Sequence, residues 1–109
     1  KDLGTLGGDR SYAGDINNLG HIVGYSDNVD GYTRAIMYKD GKMIDLNNLL
    51  PNDSGWVLSH ARSINDSGSI VGIGYLNGSD TRAFLLTPVP EPTTLLLFGL
   101  GGLALRRRK

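Results

Sequence analysis

Cysteine is absent from the 109 residues. That excludes a disulfide framework and any thiolate metal site, and it leaves the redox compartment unreadable from thiols. Glutamate occurs once, at Glu91. There is neither a glycine-rich phosphate loop ending in Lys-Ser/Thr nor a GxSxG elbow. Nothing in the sequence assembles a nucleophile, a base and an oxyanion site, so the expectation is a protein that is not an enzyme and needs no cofactor or metal. A basic stripe is missing too. Up to Val89 the chain carries seven cations against ten aspartates, a net charge of −3. A mildly acidic body lacks the electrostatic footprint that binding a phosphate backbone requires, so no nucleic-acid partner is expected. No charged-then-apolar leader opens the chain at Lys1, and the expectation is an N-terminus that continues upstream, with any export signal lying there.

What is present is a repeat. Residues 11–38 slide onto residues 59–86 at a constant offset of 48 positions without a gap. Eleven positions are identical: Ser11/Ser59, Ala13/Ala61, Ile16/Ile64, Asn17/Asn65, Gly20/Gly68, Ile22/Ile70, Val23/Val71, Gly24/Gly72, Thr33/Thr81, Arg34/Arg82 and Ala35/Ala83. A fixed period of this length marks one supersecondary unit used more than once. "SYAGDI" and "HIVGYS" are short runs of β-branched, aromatic and small residues, joined by "NNLG" in the first copy and "NDSG" in the second. A four-residue connection ending in glycine suits a hairpin, because glycine takes the left-handed conformation without a steric cost. "TRAIMYK" and "TRAFLLT" supply a third strand. Asp40-Gly41 then turns the first copy into a fourth, "KMIDL".

Four strands at this period predict antiparallel β-propeller blades, an all-β fold. The units run from about 11–58 and 59–87, with residues 1–10 the end of an earlier unit, since Asp2-Leu3 matches Asp45-Leu46. The second unit is expected to stop after its third strand, with the opening strand of the chain closing the last blade. Between the copies, "LNNLLPNDSGWVLSHA" replaces "LGTLGGDRSYA" and is five residues longer.

These residues, "LGTLGGDRSYAGDINNLGHIVGYS" followed by "RAIMYKDGKMIDL", resemble the HAF repeat family of bacterial extracellular proteins over roughly residues 2 to 87. The resemblance implies export and a β-repeat fold and carries no chemistry with it.

The end of the chain differs in kind. Residues 93–105 contain no charge and are rich in leucine. As a helix they reach about 20 Å, against a hydrocarbon core of about 30 Å. The expectation is a short transmembrane helix over 93–105, completed by its flanks, with Arg106, Arg107, Arg108 and Lys109 as a cytoplasmic basic stop. Prolines at 88, 90 and 92 keep the preceding segment, 88–92, extended. "VPEP" (Val89, Pro90, Glu91, Pro92), a short apolar run and a terminal basic cluster together resemble the PEP-CTERM sorting signal, over residues 89 to 109. That resemblance implies processing by an exosortase, an integral-membrane cysteine protease-transpeptidase of Gram-negative bacteria, acting near residues 89–92. It further implies contact with the inner membrane, a place in the cell envelope or outside the cell, and a host that makes exopolysaccharide.

Several sharper readings have plainer competitors. His21 matches Ser69 and His60 matches Tyr12, so the repeat does not require either imidazole and a surface or packing role is the plainer one. "DNVDG" at 27–31 has the flavour of a calcium loop, but Val29 stands at the third ligand position and no glutamate closes twelve residues, which favours a hairpin turn. Asn52, Asn65 and Asn77 fit the N-x-Ser glycan pattern and equally fit turns. Arg34 and Arg82 suit acidic sugars or, more plainly, cross-strand pairs with the repeated aspartates. The leading reading is an exported, non-enzymatic surface or matrix protein. A lectin-like module for exopolysaccharide and a propeller hydrolase with its catalytic residues upstream are the alternatives.

Overall fold

A computed structural model describes residues 1–88 and the backbone of residues 95–99. It contains eight strands: β1 (Gly7–Ile16), β2 (Ile22–Asn28), β3 (Thr33–Lys39), β4 (Lys42–Asp45), β5 (Trp56–Ile64), β6 (Ile70–Leu76), β7 (Thr81–Pro88) and β8 (Leu95–Gly99). They form two four-stranded antiparallel sheets, β1-β2-β3-β4 and β5-β6-β7-β8, each a simple meander. The described residues close neither a barrel nor a ring.

The turns follow the glycine positions. Asn17 N–H donates to His21 O and Gly20 N–H to Asn17 O, with Gly20 at φ +82°; Asn65, Ser69 and Gly68 repeat the arrangement, with Gly68 at φ +89°. Asp40 and Gly41 both take positive φ, which the β3–β4 hairpin needs to match the strand twist. The 27–31 loop is a hairpin turn, in which Asn28 Oδ1 accepts from Asp30 N–H and Tyr32 N–H.

The sheets stand face to face, and the alternation of side chains decides what meets between them. Val23, Ala35 and Met37 share one face of the first sheet. Leu58, Ala61, Ile64, Ile70, Phe84 and Leu86 share the opposing face of the second. Val23, Ala35, Leu58, Ile70 and Leu86 are completely buried. Burying each of the valine, leucine and isoleucine side chains among them contributes about 1.5–3 kcal/mol relative to leaving it exposed. The longer connection between the repeats serves this core: a 3-10 turn at Leu46–Leu49 follows β4, Leu46 is fully buried, and Leu49 and Leu50 pack against the cluster. The Asn47 side chain accepts from Leu58 N–H (2.7 Å) and donates to Leu58 O (2.9 Å), pinning the turn to β5.

Two expectations require correction. The second unit does not stop at three strands. β8 pairs with β7 from Pro88↔Leu95 to Phe84↔Gly99, in the place that β4 holds beside β3. The opening strand of the chain does not fill that position. Its first residues lie over the first sheet, where Leu6 bridges to Asn28 and Ser11 Oγ donates to Gly4 O. The expected helix over 93–105 likewise gives way, where the backbone is described, to strand β8. The physical reason is the free edge of β7: a row of unpaired backbone groups that an antiparallel strand satisfies, whereas thirteen residues make a marginal helix outside a bilayer. Among the described residues no helix is long and apolar enough to cross a membrane.

Candidate functional site

Val89, Pro90, Glu91 and Pro92, and the basic cluster Arg106, Arg107, Arg108 and Lys109, lie outside the described residues. What the structure defines is how their segment is attached. β7 ends at Pro88, an exposed residue, and Leu95, six residues beyond the start of the motif, returns to pair with it. The motif therefore occupies the connection between two hydrogen-bonded strands of one sheet.

The other candidates resolve into structural roles. His60 packs against an aromatic pair: the Tyr12 and Tyr25 rings stack 4.8 Å apart, and the His60 ring lies 4.3 Å from Tyr25 at a tilt of 53°. His60 Nδ1 is 2.8 Å from Ser59 Oγ, a pairing that invites a nucleophile-and-base reading. The geometry opposes it. Ser59 is buried, at 3% exposure, and its hydroxyl reaches Ile73 O. The hydroxyl has one hydrogen, which goes to Ile73 O or to the His60 ring nitrogen according to the imidazole tautomer, and what separates Ser59 from a nucleophile is its burial. Burial, with Arg62 nearby, holds the imidazole below its usual value. His21 lies in the first hairpin turn, its backbone N–H donating to Asn17 Oδ1. Among the described residues no three His, Asp or Glu side chains gather to hold a metal.

The repeated arginines do not pair with the repeated aspartates. Arg34 donates to Thr33 O and lies over the Tyr32 ring, 5.2 Å from its centre, while Arg82 donates to Ser79 Oγ. The aspartate of this region, Asp27, is taken by Arg10 at 3.1 Å. β1 brings Arg10 alongside Asp27, so the nearer cation wins.

A polar ladder that sequence reasoning missed joins the two repeats. Asn17 Nδ2 donates to Asn65 O (3.0 Å), and Asn18 donates from N–H and Nδ2 to the Asp66 carboxylate (2.9 and 2.7 Å). Asp15 Oδ2 accepts from Ile64 N–H (2.8 Å) and Ser63 Oγ (2.9 Å). Equivalent turns thus bond across the period of 48 residues. The identity Asn17/Asn65 was the available signal, but it speaks first of turn chemistry.

The ladder is acid-sensitive. The Ile64 N–H, then Ser63 and the Ile16 N–H, hold the Asp15 carboxyl below its usual value, and the Asn18 backbone and side-chain amides do the same for Asp66. A carboxylate with a lowered folded-state pKa stabilises the fold above its unfolded pKa of 3.8, and that contribution disappears as the pH falls through the lower folded value. Replacing Asp15 by alanine is expected to destabilise the protein at pH 7 and to make its acid unfolding below pH 4 shallower by up to about one proton. Circular-dichroism acid titrations of the two proteins measure this; superimposable acid limbs would remove Asp15 from the account.

A family model of the PEP-CTERM protein-sorting motif matches residues 88–109. No curated protein and no solved structure matches the chain.

Proposed function

We propose that this chain is an exported, non-enzymatic protein of the cell envelope or extracellular matrix, delivered by exosortase recognition of its C-terminal segment. The observation that carries the reading is the sorting motif at residues 88–109, with its "VPEP" at Val89, Pro90, Glu91 and Pro92 and its basic end from Arg106 to Lys109. The repeat body supports it by what its polar and titratable groups do. Asp15, Asn17, Asn18 and Asp66 are used to fasten one repeat to the next, and His60 and Ser59 are used in packing. The body is therefore the cargo, and the tail is the address.

Intact mass of the mature protein, purified from an exosortase-bearing host and from an isogenic strain lacking the enzyme, tests this. The expected result is loss of the residues following the Pro-Glu-Pro region in the parent strain alone. Identical masses with the tail retained in both would refute processing at this site. Replacing Pro90 and Pro92 by alanine is expected to reduce processing in the parent at least about tenfold, because the extended segment that a protease reads as a strand is lost.

A further inference from the structure

The two repeats complete their sheets from different material. In the first, β4 comes from the repeat itself and is reached through the Asp40-Gly41 turn. In the second, the fourth strand is Leu95–Gly99, which lies inside the residues matched by the sorting motif, 88–109. One stretch of chain is therefore asked to serve twice, as the edge of a sheet and as part of a signal.

The two uses exclude each other. In the hydrocarbon of a bilayer every backbone N–H and C=O must find its partner within the segment or around a closed barrel, so an isolated apolar segment enters as a helix. A helix spends those groups along its own axis. β8 spends them sideways, on β7, through the pairs from Pro88↔Leu95 to Phe84↔Gly99. The same groups cannot do both, and an open sheet cannot follow its edge strand into lipid.

The pairing also acts on the motif itself. Pro88 and Leu95 stand opposite each other, and residues so opposed in an antiparallel pair have Cα atoms about 5 Å apart. The seven links between them would span about 24 Å if fully extended. Val89, Pro90, Glu91 and Pro92 all fall in this interval. With its ends joined, the interval cannot lie straight through a protease cleft as an added strand does. Parting β8 from β7 removes that constraint. β8 lies at the edge of its sheet and is bonded within it on one side only, whereas β7 is bonded on both. A strand held in this way can open locally while the body stays folded.

We infer that β8 is a self-inhibitory strand: zipped onto β7 it closes the sorting segment to processing, and the form that the membrane enzyme accepts is the folded body with β8 unzipped. The inference rests on the sorting reading given above and adds to it the regulation of the same segment.

The absence of cysteine makes a direct test possible. Thr87 and Leu96 are opposed in the pairing, at a separation that a disulfide spans. Thr87→Cys combined with Leu96→Cys places the only two thiols of the chain across the β7–β8 seam. The full chain is oxidised and presented to membranes bearing the exosortase, and intact mass reports both the disulfide and the cleavage. The oxidised protein is expected to be cleaved at least about tenfold more slowly than the same protein after reduction, since the rate follows the unzipped fraction. Each single variant, which cannot form the lock, should be cleaved at one rate with or without reductant, and this separates the lock from any action of the reductant on the enzyme. Leu85→Cys with Phe98→Cys supplies a second lock on the same seam should the first fail to close or to fold. Hydrogen exchange of the unaltered full chain, without enzyme, is the independent readout. Backbone amides over 95–99 should exchange at least about tenfold more slowly in buffer than the rate expected for an unfolded chain. A locked protein cleaved as fast as its reduced form, or amides over 95–99 that exchange as an unfolded chain does, would overturn the inference and leave the sorting reading standing. A parent protein that is cleaved under no condition would overturn the sorting reading and the inference with it.

Discussion

Val23→Asp is expected to unfold the protein or to cost about 3–5 kcal/mol, and Val71→Asp, at the same place in the next repeat, to cost no more than about 0.5 kcal/mol in dilute solution. The two valines have identical neighbours along the chain in Ile-Val-Gly. They differ only in what stands opposite. Val23 looks onto the second sheet, within the cluster formed by Leu58, Ala61, Ile70 and Phe84, and is fully buried. Val71 looks outward and is 45% exposed. A carboxylate at position 23 enters this apolar contact with no cation beside it, and the core must open or the group must protonate. At position 71 the carboxylate remains in water. Urea unfolding followed by circular dichroism, with both variants run against the parent, measures the difference. Equal costs would mean that the sheets do not stack in the order described.

The second large effect belongs to a glycine. Gly72→Ala is expected to destabilise by about 3 kcal/mol or more. A Cβ at this position runs into the carbonyl oxygen of His60 on β5 and stands 2.8 Å from the edge of the Phe84 ring on β7. The ring can swing; the carbonyl belongs to the backbone and cannot yield without shifting the strand. The cause lies in the register between Ala61 and Ser63, where β5 carries one residue more than β6 opposite and bulges toward it. Gly24 faces the carbonyl of Tyr12 across the same irregularity, between Ala13 and Asp15. Gly24→Ala should therefore cost a similar amount. Thermal melts of the two variants decide it, and a stability within about 0.5 kcal/mol of the parent for either would show that the bulge relaxes.

These glycines mark where the sequence speaks and where it falls silent. The identity Gly24/Gly72 is visible in the repeat, but its reason is a neighbouring carbonyl that only pairing brings close. Strands β2, β3, β6 and β7 fall where the β-branched runs place them, and Gly20, Gly41 and Gly68 take the left-handed backbone that their positions in the turns require. Asn47 had no such signal. Its counterpart in the earlier repeat is Gly4, which has no side chain to compare, and its work on Leu58 depends on where the 3-10 turn lands. The strand at Leu95–Gly99 was obscured for a different reason. Uniform leucine has no period of two and equally describes a helix, and the free edge of β7 that recruits it is a property of the folded sheet. At the sorting segment the order was the reverse: the motif is plain in the sequence, and the fold contributes its point of attachment at Pro88.

β8 is a seat that admits one sitter. While five residue pairs hold Leu95–Gly99 against β7, that stretch is withheld from a bilayer and from any enzyme embedded in one; once it is drawn away, the margin of the second sheet lies bare. On the sorting reading proposed above, the order of two events then matters: if the hairpin zips first, part of the tail is tied into the sheet, and if recognition of the motif comes first, the strand is still free to leave.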